Sequence, residues 1–417
     1  MEDGERVDGR GANGDSAHKA VQLEGSGKRI NGKAQTVARK QKWMDLALVA
    51  DLAVGPEYIV PNRLAPIMNL RIVTLIALCA TPFSALNAGS GAAWTEVAAA
   101  DKTLMGDYVG EWVNPEEGYQ AINPSLCAQV INVDKGKYHL KFTQDHNLRA
   151  EIYFSGDAVL KGDAIVAKQG GWDIRVTQDG MTGKGRIGDN VESFSLKRVS
   201  LGSPTLGQKP PKGSIVLFDG SSMDEWEHDD GRACTWTLLE NGAMEINPRK
   251  ENQGADPKIG GDIRTKRKFR AVRYHMEFRY PVEPGKSGQG RGNSGLFFHG
   301  YEAQILNSYG LTGLWNELGA LYKLSPPQVN MARPPMEWQT YDIVFTPAVY
   351  EGGKLQENPK MTVRLNGVVV QKNVELRHQT AHRQADRAEM PPKTPQSISL
   401  QDHSNRIQFR NIWVKEL

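Results

Sequence analysis

The sequence predicts an all-β protein, with a two-sheet β-sandwich preceded by a small antiparallel β domain. Three observations lead to that class. Apolar residues recur at every second position in many short runs, the pattern of strands with one wet face. The 417 residues include 43 Gly and 22 Pro, enough to punctuate such runs with turns. No segment sustains the 3.6-residue apolar period of a long amphipathic helix.

Ahead of the first such run lies the most apolar stretch of the chain. Met68-Asn69-Leu70-Arg71 gives a short basic start, Ile72 to Ala80 is apolar, and small residues follow to about Ala88-Gly89-Ser90. This is the anatomy of a secretory signal peptide. The apolar run is too short to span a bilayer comfortably, and Leu78 before Cys79 argues against lipid attachment. A signal does not normally work behind a long polar leader. Translation is therefore expected to start at Met68, with residues 1–67 an over-extended gene model and 68–88 the signal.

The expected mature chain is nearly neutral, as the whole sequence is, with 51 Lys+Arg against 48 Asp+Glu. That balance gives no electrostatic case for a nucleic-acid partner. Its two cysteines, Cys127 and Cys234, are too few and too far apart for a disulfide framework or a cysteine metal site. The expected location is the periplasm or the cell exterior, with no stable membrane insertion after signal cleavage; the oligomeric state stays open.

A small all-β domain is expected over residues 97–200. Tyr138 to Phe142, Ala150 to Phe154 and Trp172 to Val176 alternate, and Asp134-Lys135-Gly136, Ser155-Gly156-Asp157 and Asp179-Gly180 supply turns between such runs. Trp112 and Trp172 are candidate core residues of a small barrel or sandwich, and Asp145-His146 reads as a solvated turn. The stretch 201–212, with Pro204, Gly207, Pro210 and Pro211, breaks every periodicity and reads as a linker. The second module, 213–417, opens on Ile215-Val216-Leu217-Phe218 with an Asp219-Gly220 turn and Trp226. Tyr274 to Tyr280 alternates, Asn366-Gly367 is the strongest hairpin signal, and Ile407 to Val414 closes the module as a strand.

Residues two apart in a half-buried strand share a face. Asp262 with Arg264, Glu302 with Gln304, and Gln401 with His403 are three such polar pairs. His299 stands at a strand end before Gly300, and Asn293-Ser294-Gly295 supplies small residues that let a strand pass close to something else. On one concave sheet face these residues would form a cleft for a polar, hydroxyl-rich ligand, with Trp315, Tyr322 and Trp338 as platforms for a ring. Blander readings stay open on pattern alone. Glu302 could be the wet side of a sheet, Asp262 a turn carboxylate paired with Arg264, and His299 and His403 structural histidines. A divalent metal on His299, Glu302 and His403 is also open, although no compact His-Glu-x-x-His spacing occurs. So is conventional glycoside hydrolysis by a facing Asp262 and Glu302 pair.

At these residues the sequence resembles the 3-keto-disaccharide hydrolase domain family, also known as domain of unknown function 1080. The resemblance covers Gly213 to Leu417. It runs through Ser214 to Gly220 with Trp226, Gly261-Asp262-Ile263-Arg264-Thr265, Asn293-Ser294-Gly295 and Tyr301 to Leu306. It continues through Pro334 to Asp342, Leu365-Asn366-Gly367-Val368, Leu400-Gln401-Asp402-His403 and Phe409 to Trp413. One departure is Arg264, where relatives often carry an aromatic residue. The 97–200 domain lies outside the resemblance.

The resemblance implies a concanavalin/laminarinase-like sandwich, or jelly roll, and an exported enzyme acting on 3-keto-glycosides. A ketone at C3 acidifies the C2 hydrogen, so a base can remove it and the enolate can expel the C1 substituent; water can then add. The casting that follows makes Glu302 the base and His299 or His403 the proton donor. Arg264 and Asn293 would stand near the carbonyl oxygen, Asp262 would orient Arg264 or the sugar, and Gln304 and Gln401 would bind hydroxyls. The alternative is a non-catalytic carbohydrate-binding module, and a structural surface protein is a third reading. N-terminal sequencing of the protein purified from its natural host is expected to place the mature start near residue 89; a start upstream of Met68 would overturn the signal assignment.

Overall fold

The computed structural model describes residues 98–115, 122–146, 149–249, 256, 258–380 and 390–417. The leader and signal expected over 1–88 lie outside these residues. Among the described residues no helix is long and apolar enough to cross a membrane.

After one helical turn, α1 (Ala99–Thr103), eight antiparallel strands close a barrel in chain order. They are β1 (Gly106–Val113), β2 (Ser125–Asp134), β3 (Lys137–Thr143), β4 (Ile152–Lys161), β5 (Ala164–Gln169), β6 (Trp172–Thr177), β7 (Gly180–Ile187) and β8 (Asn190–Val199). Pairing of β1 with β8, Gly110 opposite Leu196, removes the free edges. Burial alternates residue by residue along β4, β6 and β8, as the period-two pattern predicts. The interior is an aromatic cluster of Trp112, Phe142, Phe154, Trp172 and Phe194, with ring centroids 4.9 to 6.0 Å apart. Gly185 makes room for it, since a Cβ there would lie 2.7 Å from the Trp172 ring and 2.8 Å from that of Trp112.

The remainder is a sandwich of two antiparallel sheets. The smaller has the order β10 (Trp226–His228), β13 (Ile263–Thr265), β22 (Ile398–Leu400), β15 (Ser294–Phe298), β16 (Tyr301–Ile305). The larger runs β11 (Thr237–Leu238), β12 (Met244–Glu245), β23 (Gln408–Glu416), β14 (Val272–Arg279), β17 (Gln339–Thr346), β20 (Lys360–Leu365), β21 (Val368–Glu375), with β9 (Ile215–Phe218) also on β23. A separate ribbon pairs β18 (Val349–Glu351) with β19 (Lys354–Glu357). Between the sheets lies a core that includes Trp226, Phe278, Leu296, Phe298, Tyr301 and Tyr341. The hairpin expected at Asn366-Gly367 joins β20 to β21; both residues have positive φ, 51° and 80°, as a type I′ turn requires.

The segment 201–212 is more than a connector, because it lies along the outer face of the larger sheet. The Ser203 hydroxyl meets that of Thr340 at 2.6 Å, and the Thr205 hydroxyl donates to Asp342 at 2.7 Å. The Gly207 amide donates to Glu277 at 2.6 Å, and the Gln208 carbonyl accepts from Asn411 at 3.0 Å. Under this strap β14 is buried on both faces. Its outer residues form a closed polar network: His275 contacts Asp342 at 2.8 Å and stacks on Trp413, while Glu277 also accepts from Asn411 and Arg410. Burial alone would raise the Glu277 carboxyl, but its hydrogen bonds with His275, Asn411, Gly207 and Arg410 outweigh that and hold it down at about 2. Burial would likewise lower the His275 imidazole, and its contacts with Asp342 and Glu277 raise it instead.

The barrel seats directly on the sandwich. Arg149 donates to the carbonyls of Gly313, Pro327 and Gln328 at 2.9, 2.6 and 2.7 Å. The Tyr309 hydroxyl donates to the buried Asp107 at 3.0 Å. At the β2–β3 end, the Gly285 amide donates to the Val133 carbonyl and Arg291 to that of Asn132, at 2.9 and 2.8 Å.

Because Glu277 titrates below its unfolded value, the stability it contributes is present above pH 4.5 and fades as pH falls toward 2. E277Q is therefore expected to lower unfolding free energy by about 2–4 kcal/mol at neutral pH. The difference from the parent should shrink on acidification, as read by denaturant melts across pH. A pH-independent difference would mean that the carboxylate charge is not what holds the strap.

Candidate functional site

The outer face of the smaller sheet carries the polar residues. Strand order and register set Glu227, Arg264, Ser399, Phe297 and Glu302 opposite one another across its five strands. In the neighbouring row Gln304 stands opposite Gly295, whose carbonyl accepts from the Gln401 amide. Alternate residues on the same strands, Leu296, Phe298, Tyr301 and Ala303, point into the core.

At the β15–β16 end of this face opens a cleft of about 290 Å³. Glu302, Gln304, Asn293, Gln401, His403 and Tyr322 all line it, joined by Gln289, Phe297 and Thr380. Glu302 lies at the floor, 6% exposed. A Cβ at residue 295 would stand 2.8 Å from the Glu302 carboxyl oxygen and 2.7 Å from the Phe297 ring, so only glycine leaves the carboxyl its place. Burial pushes this carboxyl up to about 8, and the charge of Asp262 adds to the rise.

One wall is built of amides. The Gln289 side-chain carbonyl accepts from Asn293 and Gln304, both at 3.3 Å, while its amide donates to the Asn316 carbonyl at 3.0 Å. The side-chain oxygens of Asn293 and Gln304 are buried without a hydrogen-bond partner. Buried acceptors left open in a cleft are places for ligand hydroxyls. The wall is held from behind by Glu283, which accepts from the Gly292 amide at 2.6 Å and from the Asn405 side chain at 2.9 Å. Asn405 in turn accepts from the Asn293 amide at 3.1 Å. Asp402 pins the loop that presents the exposed His403, accepting from the amides of Arg249, Gly261 and Ser404 at 2.7, 2.8 and 2.9 Å.

Other candidates fall elsewhere. His299 forms the β15–β16 turn with Gly300 at φ 52° and 84°, which aims its ring inward. Its Nε2 donates to the Phe269 carbonyl at 2.8 Å, the ring packs on Phe345, and burial lowers its pKa. It is a turn residue directed to the core and does not line the cleft. The metal trio of His299, Glu302 and His403 is therefore not assembled, and no group of three or more His, Cys, Asp or Glu among the described residues could hold a metal ion.

Arg264 is on the same face as Glu302 but three strands away, roughly 14 Å at ordinary strand spacing, and pairs with Glu227 at 3.1 Å. It stands away from Asn293, and Asp262 does not orient it. Asp262 instead accepts from the Asp402 amide at 2.8 Å, beside the cleft, and burial raises its carboxyl to about 6. Trp338 lies on the outer face of the other sheet between Arg279 and Arg410, 4.5 and 4.1 Å from its ring, and offers no platform here. Trp315 packs edge-on against Tyr322, with ring centroids 6.0 Å apart, extending the rim of the cleft. In the barrel, His146 is not a solvated turn residue: its side chain is 7% exposed at the junction with the sandwich.

Gln289, Thr380 and Phe297 had no place in the sequence reading. Gln289 sits in a single 3₁₀ turn, Gly288–Gly290, and Thr380 in a loop, neither with a periodicity to read, and Phe297 shares the outer face although its neighbours Leu296 and Phe298 point to the core. The cleft lining, among the described residues, contains neither Lys nor Arg. Its chemistry is one proton-exchanging carboxyl, one imidazole at the rim, and amides and hydroxyls around a neutral interior.

Comparison with known proteins bears on this domain. Residues 213–415 match the family model described as the 3-keto-alpha-glucoside-1,2-lyase-like domain. A Parabacteroides distasonis protein described as a candidate glycosyl hydrolase is 36% identical over 49% of this chain and 84% of its own, with a TM-score of 0.44. A second candidate glycosyl hydrolase from the same organism is 20% identical over 49% of this chain and 94% of its own, with a TM-score of 0.35. No curated protein matches the chain. Through its C-terminal sandwich the chain belongs to the 3-keto-alpha-glucoside-1,2-lyase-like domain family.

Proposed function

We propose that the protein is an exported enzyme acting on 3-keto-glycosides, cleaving the glycosidic bond by proton abstraction at C2 followed by elimination at C1. The observation that carries this reading is Glu302, a carboxyl raised to about 8 at the floor of a neutral, amide-walled cleft. A carboxylate made this basic by burial is better matched to a carbon acid than one at its ordinary value. Family membership supports the substrate class. Export rests on the signal pattern at 68–88, outside the described residues.

In this scheme the C2–H bond breaks and its proton passes to the Glu302 carboxylate, with the electron pair held as the C3 enolate. The enolate collapses to restore the C3 carbonyl and form the C1–C2 double bond as the C1–O bond breaks. His403, exposed at the rim, gives a proton to the departing oxygen. Water added across the double bond completes a net hydrolysis. The Gln401 side chain is the candidate donor to the C3 oxygen. The unpartnered oxygens of Asn293 and Gln304 receive ring hydroxyls, and Tyr322 with Trp315 forms the shelf for the leaving group.

E302Q is expected to reduce kcat/KM on a 3-keto-α-glucoside by roughly 10²–10⁴-fold while the sugar still binds. Parent kcat/KM should climb through pH 8 as the base ionises, and C2 should take up deuterium from heavy water. Full activity in E302Q would sink the assignment. Binding by both proteins with turnover by neither would make the domain a carbohydrate-binding module.

The same variant tests the electrostatics. Glu302 titrates above its unfolded value of 4.5, so its contribution to stability is complete below pH 4.5 and is lost as pH rises through about 8. E302Q should match the parent near pH 4 and exceed it by up to about 5 kcal/mol at pH 9 in denaturant melts. A less stable variant at pH 9 would show that the carboxylate is compensated by a partner.

A further inference from the structure

We propose that the junction between barrel and sandwich holds a second carbohydrate site, sized for a single neutral sugar residue and separate from the Glu302 cleft. A cleft of about 220 Å³ opens there, walled by Gln129, Lys141, Thr143 and His146 on the barrel side and by Leu311 and Thr312 on the sandwich side. That volume is below the range of drug-sized pockets. None of its lining residues belongs to the other cleft.

The observation that points to a ligand is His146. Its side chain is 7% exposed, and its Nε2 is buried with no hydrogen-bond partner. A buried ring nitrogen left open destabilises the folded chain unless something supplies the missing bond. The neighbouring carboxylate does not. Asp107 Oδ1 lies 4.0 Å from the other ring nitrogen and already accepts from the Tyr309 hydroxyl at 3.0 Å and the Gln129 amide at 3.1 Å.

The charges around the cleft favour a neutral ligand. Lys141 is committed to the carbonyls of Gly310 and Leu311 at 3.3 Å, and Arg149 to three carbonyls of the sandwich. Glu317 acts on Lys141, and Asp107 and Asp145 both lie near Cys127 of β2, so carboxylates offset the cations of this region and little net positive field is left for an anion. What remains is the His146 imidazole nitrogen, the hydroxyls of Thr143 and Thr312, the amides of Gln129 and Asn330, and the apolar groups of Ile152, Leu311 and Val329. A sugar ring has that mixed chemistry, with hydroxyls at its edge and C–H bonds on its faces. The site requires nothing of the chemistry proposed for Glu302.

The test uses the full chain and methyl α-glucopyranoside as probe, read by ligand-observed NMR and calorimetry. The parent is expected to bind it saturably in the millimolar range. H146A should weaken binding at least about tenfold, a change of about 1.4 kcal/mol. T312W, which fills the cleft from an exposed loop position without cutting into packed walls, should do the same even if H146A loosens the junction. Turnover of a 3-keto-glucoside should stay within about twofold of the parent in T312W, which separates this site from the Glu302 reading. No saturable binding to the parent, binding untouched by T312W, or displacement of the probe by sulfate would each overturn the proposal.

Discussion

A carboxyl group kept out of water is among the costlier things a fold can hold, and the smaller sheet of the sandwich is arranged around one. Glu302 occupies its place because residue 295 has no side chain, because β16 presents residues 302 and 304 outward, and because the amide wall beside it is already hydrogen-bonded to itself. None of these neighbours carries a charge that would neutralise the carboxylate. The result is a group that exchanges its proton near neutrality, within reach of ligand-sized space.

The rest of the molecule steadies that arrangement. The Glu283–Asn405–Asn293 chain ties the amide wall to the loop bearing His403. The loop that carries Gln289 is braced against the β2–β3 end of the barrel through Gly285 and Arg291. A domain that looks like a separate module by its own aromatic core thus supports one side of the cleft. The polar strap on the larger sheet works by the opposite rule to Glu302. There a buried carboxylate is surrounded by donors, and the charge is stabilised instead of suppressed.

The strands were legible because alternation and turn chemistry are local. Tyr138 to Phe142, Trp172 to Val176 and the Asn366-Gly367 hairpin follow directly from neighbouring residues. The convergence of Glu302, Gln304, Gln401, His403 and Asn293 was legible to the extent that residues two apart share a face. What periodicity does not encode is which strand lies beside which. Arg264 shares a face with Glu302, yet two strands stand between theirs, and it pairs with Glu227 on its other side. A left-handed turn swung His299 inward, a backbone choice that residue type alone does not announce. Trp338 was captured by two arginines from β14 and β23, and Gln289 and Thr380 arrive from short segments outside the strands that carry no repeating signal.

The strap also bears on the order in which the protein forms. Its partners are β14, β17 and β23, and β23 is the last strand of the sandwich in the chain. The barrel closes from consecutive strands whose pairings are mostly local, whereas the strap waits for Trp413, 205 positions downstream, and β14 for β23, where Arg410 lies 133 positions beyond Glu277. During synthesis the barrel can be complete while the sandwich still lacks a central strand, so the polar face of β14 stays wet until the end. His275 and Glu277 are soluble side chains in that interval and buried ones afterward, which spares the nascent sheet a sticky face it would have to carry if the same contact were hydrophobic.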